Sequence, residues 1–160
     1  MALGQQELTL AVTRPKGYLV SLRQDTSLSD FYLEITASPT ICRGSDEYGL
    51  LLRVTSSQDF YRFSLTCDGQ TRIDRYYNDK ASSPQPLVMS SAVPRGAPSF
   101  SRLGVYAVGK ELRFYINGEY QFTVRDPTLL SGSIGVFARS AGENPVTVNF
   151  SNLMVYQTSP

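Results

Sequence analysis

Histidine and tryptophan are both absent from the 160 residues, and only two cysteines are present. Without histidine there can be no Ser-His-Asp or Cys-His nucleophile, no His-ligated metal site and no switch built on an unperturbed imidazole. Two thiols, Cys42 and Cys67, are too few for a four-thiolate zinc site. No apolar run approaches the roughly 18 residues of a spanning helix, so no transmembrane segment is expected. Charged residues are only 18% of the chain and the net charge is +1. A phosphate-neutralising field is therefore not expected, nor a nucleic-acid partner. The acids Asp46, Glu47, Asp68 and Asp126 are scattered among loops and turns, where caps and Asx turns account for them better than calcium ligation does. No metal and no cofactor are expected. The first residues, Met1 to Gln6, lack a charged start and an apolar stretch, so no signal peptide is visible. An exported protein would carry this chain as an excised domain.

What remains is rich in β-formers: 19 Ser, 12 Thr, 10 Tyr and 8 Phe. That mixture suits pleated, half-buried surfaces. Apolar residues recur at period two from end to end, with Gly, Pro, Asn and Asp between the runs. The reading is one all-β domain over residues 1–160, core about 7–157, with about twelve strands and no helix longer than two turns. Glu7 to Arg14 and Tyr18 to Arg23 read as an opening hairpin around Pro15-Lys16-Gly17. Phe31 to Ala37, Tyr48 to Val54 and Phe60 to Cys67 follow. Asp68-Gly69 suits a type I′ turn, which returns Thr71 to Tyr77 onto Phe60 to Cys67. From 78 to 101 four prolines interrupt a Ser-rich stretch, read as a long loop in which only Leu87 to Met89 looks strand-like. Arg102 to Val108, Glu111 to Ile116 and Tyr120 to Arg125 form a meander. Ser133 to Arg139 and Val146 to Tyr156 close the chain, and a parity change in the last predicts a β-bulge near Ser151-Asn152. The hairpin places Cys67 opposite a residue near Glu47, with Cys42 one short loop upstream. Either the two form a disulfide, stabilising by roughly 3–4 kcal/mol, or they are separate buried thiols.

Parity divides the strand residues. Leu33, Leu50, Phe63, Leu112, Phe114, Val136 and Val148 belong to the apolar set and should fill a sandwich core. Opposite them stand Tyr32, Glu34, Thr36, Arg53, Arg62, Ser64, Thr66, Arg72, Asp74, Tyr76, Tyr106, Arg113, Tyr115 and Asn117. Such a face suits sugars, because Tyr rings offer an apolar surface to C–H groups while Arg, Asn and carboxylates satisfy hydroxyls. It equally suits a solvated sheet held by its own cross-strand stacking and ion pairs.

Several segments carry a family likeness: 30–34, 47–53, 59–63, Cys67-Asp68-Gly69, Leu112 to Gly118, Ser131 to Phe137 and Val148 to Val155. In that order the chain resembles the concanavalin A-like lectin/glucanase superfamily, in particular the laminin-G-like and 3-keto-disaccharide-hydrolase-like jelly-roll domains of exported bacterial proteins. The resemblance implies a two-sheet antiparallel jelly-roll sandwich, a ligand groove on a concave sheet and attachment to larger surface proteins. It also carries over Arg53, Arg62 and Arg72 as binding positions. The acidic clusters of the enzymatic relatives are missing.

The leading expectation is a non-catalytic module of an exported or cell-surface protein, extracellular, that binds a glycan or a protein partner through Arg53, Arg62, Arg72, Tyr76, Tyr106, Arg113 and Tyr115. A second is a sugar-processing hydrolase with Glu34 and Asp74 as acid and base, which requires the two carboxylates within about 10 Å on one face. A third is a structural or assembly domain without a small ligand, favoured if the polar face is filled by its own Arg–carboxylate pairs.

Overall fold

Period-two alternation lets a strand bury one side and leave the other free. In a computed structural model that describes residues 7–23 and 26–157, it produces twelve strands, and the described residues contain no helix. Numbered along the chain, one sheet runs in the order β1 (Glu7–Val12), β12 (Val146–Gln157), β3 (Phe31–Ile41), β8 (Ser101–Val108), β9 (Glu111–Ile116), β10 (Glu119–Arg125). The other runs β2 (Tyr18–Leu22), β11 (Ser133–Arg139), β4 (Glu47–Ser56), β5 (Asp59–Thr66), β6 (Gln70–Tyr77), β7 (Lys80–Met89). We call them the first and second sheets. Every neighbouring pair is antiparallel.

The apolar parity set lies between the sheets. Leu33, Val105, Phe114 and Val148 of the first sheet face Leu50, Phe63, Ile73 and Val136 of the second, all in one buried cluster. Phe63 interlocks across the layer with Phe114 and Phe122, ring centres 4.7 and 6.3 Å away. Each such side chain contributes roughly 1.5–3 kcal/mol by leaving water. Cys42, just after β3, and Cys67, just after β5, are joined in a disulfide with Cα atoms 5.8 Å apart, so the bond ties one sheet to the other.

The β8–β9–β10 meander forms as expected, its second turn carrying Asn117 and Gly118 at φ 53° and 78°. The bulge in β12 is present too, where the register slips between Ser151 and Met154 and Asn152 takes φ 57°. Three local expectations are corrected. The opening hairpin does not form: β1 pairs with β12 and β2 with β11, so Pro15-Lys16-Gly17 carries the chain from one sheet to the other. Its turn is fastened by Lys16 N–H donating to Gly142 O. The Asp68-Gly69 hairpin forms, but only Gly69 has positive φ and Gly69 N–H donates to Thr66 O, giving a three-residue turn in place of type I′. The stretch read as loop 78–101 contains β7, which spans Pro84 and Pro86. Proline is tolerated there because β7 is an edge strand with only one ladder to serve.

Candidate functional site

Outward side chains of the second sheet should be wet, yet many are buried. Leu51, Val54, Phe60 and Phe137 form a separate apolar cluster there, with Tyr76 packed against it. Arg62 lies among three rings: its guanidinium carbon is 5.6, 5.0 and 5.1 Å from the centres of Tyr18, Tyr76 and Phe137. Burial works against the charge of Arg62, but Tyr76, Tyr18 and Glu47 outweigh it and raise its pKa above the ordinary guanidinium value. Burial also pushes the Tyr18 hydroxyl up.

Beside these rings runs a chain of charge. Arg139 donates to Glu47 at 2.7 Å, and Arg72 lies 2.8 Å from the other oxygen of the same carboxylate. Arg72 also lies 3.0 Å from Asp74, whose remaining contacts are Arg62 at 3.1 Å and the Ser83 hydroxyl at 2.7 Å. Three guanidiniums against two carboxylates leave one positive charge. Glu47 and Asp74 are nearly fully buried, whereas Arg72 and Arg139 keep 23% and 40% of their side chains exposed and form the solvent side of the site. At the centre, in register between Gly49 and Arg72, sits Ser64. Its hydroxyl is buried and has no hydrogen-bond partner among the described residues, where Glu47 Oε1 also has no aligned donor. A buried hydroxyl of this kind costs about 1–3 kcal/mol while unmade.

The outward face of the first sheet is different. Register places Tyr32, Tyr106 and Arg113 in one cross-strand row, Glu34, Gly104 and Tyr115 in the next, and Thr36, Arg102 and Asn117 in a third. Tyr32 donates its hydroxyl to Glu34, and Arg102 donates to Glu34 at 2.9 Å, to Thr36 and to Asn152 O. The Tyr32 hydrogen bond, followed by Arg102, holds the Glu34 carboxyl below its usual pKa. Arg113 is exposed and paired with Glu111 at 2.7 Å.

The sequence-predicted site residues are thus divided. Arg62, Arg72 and Tyr76 come together on the second sheet, and Tyr106, Arg113 and Tyr115 on the first, back to back. Glu34 and Asp74 belong to different sheets and face away from each other across the core, so the acid and base pair of the hydrolase reading is not assembled. Arg53 is on neither face. A register slip after Leu52 and φ 50° at Arg53 swing its side chain into the interior at 0% exposure. There it donates to the carbonyls of Gly109, Leu129 and Ser29 at 2.6, 3.2 and 2.8 Å and clamps three connections at one end of the sandwich. Glu47, Arg139 and Tyr18 were absent from the predicted polar face, and Ser64, which was on it, was not singled out as a binding residue. Shared parity of Glu47 with Gly49 and Leu51, and of Arg139 with Phe137, was the signal that would have found two of them.

No family model matches the sequence, and no curated protein matches it. Solved structures do match. A carbohydrate-binding module, CBM66, from Bacillus subtilis superposes with a TM-score of 0.72 at 18% identity, covering 98% of this chain and 99% of that one. A protein of unknown function with a galectin-like fold, also from Bacillus subtilis, gives 0.68 at 14% identity over 96% and 86%. Sheep galectin-11, in complex with glycerol, gives 0.58 at 13% identity over 89% and 98%. At such identities the likeness is one of architecture: the chain is a two-sheet antiparallel β-sandwich of the jelly-roll kind shared by galectins and carbohydrate-binding modules.

Proposed function

We propose that this chain is a non-catalytic sugar-binding module and that its ligand sits on the outward face of the second sheet, over Ser64, between Arg72 and Tyr18. The observation that carries the reading is a set of buried charges outside the core, with a central hydroxyl left unpartnered. Buried ion pairs of this kind add little net stability. A face that needed only to be wet would be cheaper to build from exposed residues. The chemistry points to a polyol. The three guanidiniums would repel a cation, the two carboxylates offset all but one of their charges, adjacent donors and acceptors match vicinal hydroxyls, and Tyr18 and Tyr76 offer ring faces to C–H groups. The fold shared with CBM66 and with a galectin supports the same ligand class. The disulfide fits an exported or cell-surface setting.

A glycan array of neutral and acidic oligosaccharides, followed by calorimetry on each hit, tests this. Binding should include neutral glycans and should fall at least tenfold in Arg72→Ala and Tyr18→Ala. The ion pairs favour a second reading, an assembly domain whose polar face satisfies itself. Absence of binding to every glycan, or affinity indifferent to Arg72→Ala, would establish it instead.

A further inference from the structure

Gly104 stands at the centre of the first sheet's outward grid, in the middle of β8, where a glycine weakens a strand and gives nothing to pack. Backbone conformation does not require it, since Gly104 is not among the positive-φ residues. Space does not require it strictly either: a Cβ there would meet Tyr32 Oη at 3.3 Å, Tyr115 Cβ at 3.4 Å and Glu34 Cγ at 3.9 Å, close but bearable. What the missing side chain does is keep the floor of a wider depression low. A depression of about 540 Å3 opens over Gly104, walled by Tyr32, Tyr106 and Tyr115 and rimmed by Glu34, Arg102 and Asn117. That volume falls within the roughly 300–1,000 Å3 of small-ligand sites.

The walls and rim differ in chemistry. Tyr106 is 39% exposed, and Tyr32 leans on it with ring centres 6.0 Å apart, so the aromatic side is held in place and open to solvent. Glu34 is fixed as an acceptor by Tyr32 and Arg102, and Arg102 is fixed as a donor by Glu34, Thr36 and Asn152. Asn117 is oriented by accepting from Arg102 N–H at 2.8 Å. The one carboxylate and one guanidinium at the rim cancel, which disfavours ions of either sign. Flat rings on one side and a pre-oriented acceptor, donor and amide on the other match one ring that has both a C–H face and equatorial hydroxyls.

We infer that the depression over Gly104 is a second ligand site, which takes a pyranose ring of a neutral oligosaccharide stacked on Tyr106 and Tyr115 with its hydroxyls on Glu34, Arg102 and Asn117. The chain is then two-sided, with ligands on opposite outer faces. This does not rest on the reading of the other face.

The test is a titration of the 15N-labelled protein with cellohexaose, laminarihexaose, xylohexaose and mannohexaose, followed by amide shifts. At least one sugar should move Gly104, Tyr106 and Tyr115 saturably. Tyr106→Ala, and independently Gly104→Val, which raises the floor of the depression, should weaken that binding about tenfold, equivalent to about 1.4 kcal/mol. Arg72→Ala on the other face should leave it unchanged. No saturable shift at these amides with any of the four, or shifts that survive Tyr106→Ala, would overturn the inference. Shifts confined to Ser64 and Arg72 would overturn it too, while supporting the other site. If the same amides move with protein concentration alone, the face belongs to a second copy of the chain and the inference fails.

Discussion

The two outward faces use the same residue types, Tyr, Arg and carboxylate, to opposite effect. On the second sheet they are sunk: Phe137 is fully buried, Arg62 is wedged among three rings, and the carboxylates are almost closed off from water. On the first sheet they stand apart around a gap, with Tyr106 and Arg113 exposed. The first arrangement commits stability to the position of each charge. The second keeps its cost low and its surface available. Composition therefore says little about which face does what, whereas burial says a good deal.

The contrast can be broken by paired substitutions, read as urea unfolding midpoints. The largest difference is expected for aromatic truncation. Phe137→Ala should cost about 3 kcal/mol or more, since it empties a packed site, while Tyr106→Ala should cost about 0.5 kcal/mol. Charge deletion comes next. Arg62→Ala leaves Asp74 short of a partner in a buried setting and should cost about 3 kcal/mol, against about 0.5 kcal/mol or less for Arg102→Ala beside the half-open Glu34. Equal losses on both faces would remove the distinction. The smallest effect is on pH dependence. Because the folded protein holds Glu34 below its usual pKa, the unfolded chain takes up a proton there first as acid is added. The resulting stability is complete above about pH 4.3 and is lost as pH falls through the lower folded value. Glu34→Gln should flatten that part of the curve by less than about 1 kcal/mol. Asp126, also held low, leaves a residual slope in the same direction.

Inside against outside was legible in the sequence, because it depends only on alternation. Leu33, Phe63, Phe114 and Val136 are all where parity puts them. The bulge at Asn152 was legible for the same reason, as a break in that alternation. Sheet membership was not. β1 and β2, or β3 and β4, are consecutive in the chain yet lie in different sheets, and parity carries no information about such crossings. Glu34 and Asp74 thus read as residents of one face when they sit on two. Arg53 was misread through the opposite failing: a break in register after Leu52 reverses a side chain's direction, and nothing polar or apolar in the local pattern announces it. The edge strand β7 was hidden by its prolines, which mark a loop everywhere except at a sheet margin.

Arg53 also bears on how such a domain tolerates change. Its guanidinium gathers Ser29, Gly109 and Leu129, each from a different connection, under a single planar group that lysine could not imitate. Lengthening any one of those connections would pull on the other two. Insertions and grafted epitopes at that pole should therefore disturb the domain together and not one by one, and the opposite pole is the place to attach cargo.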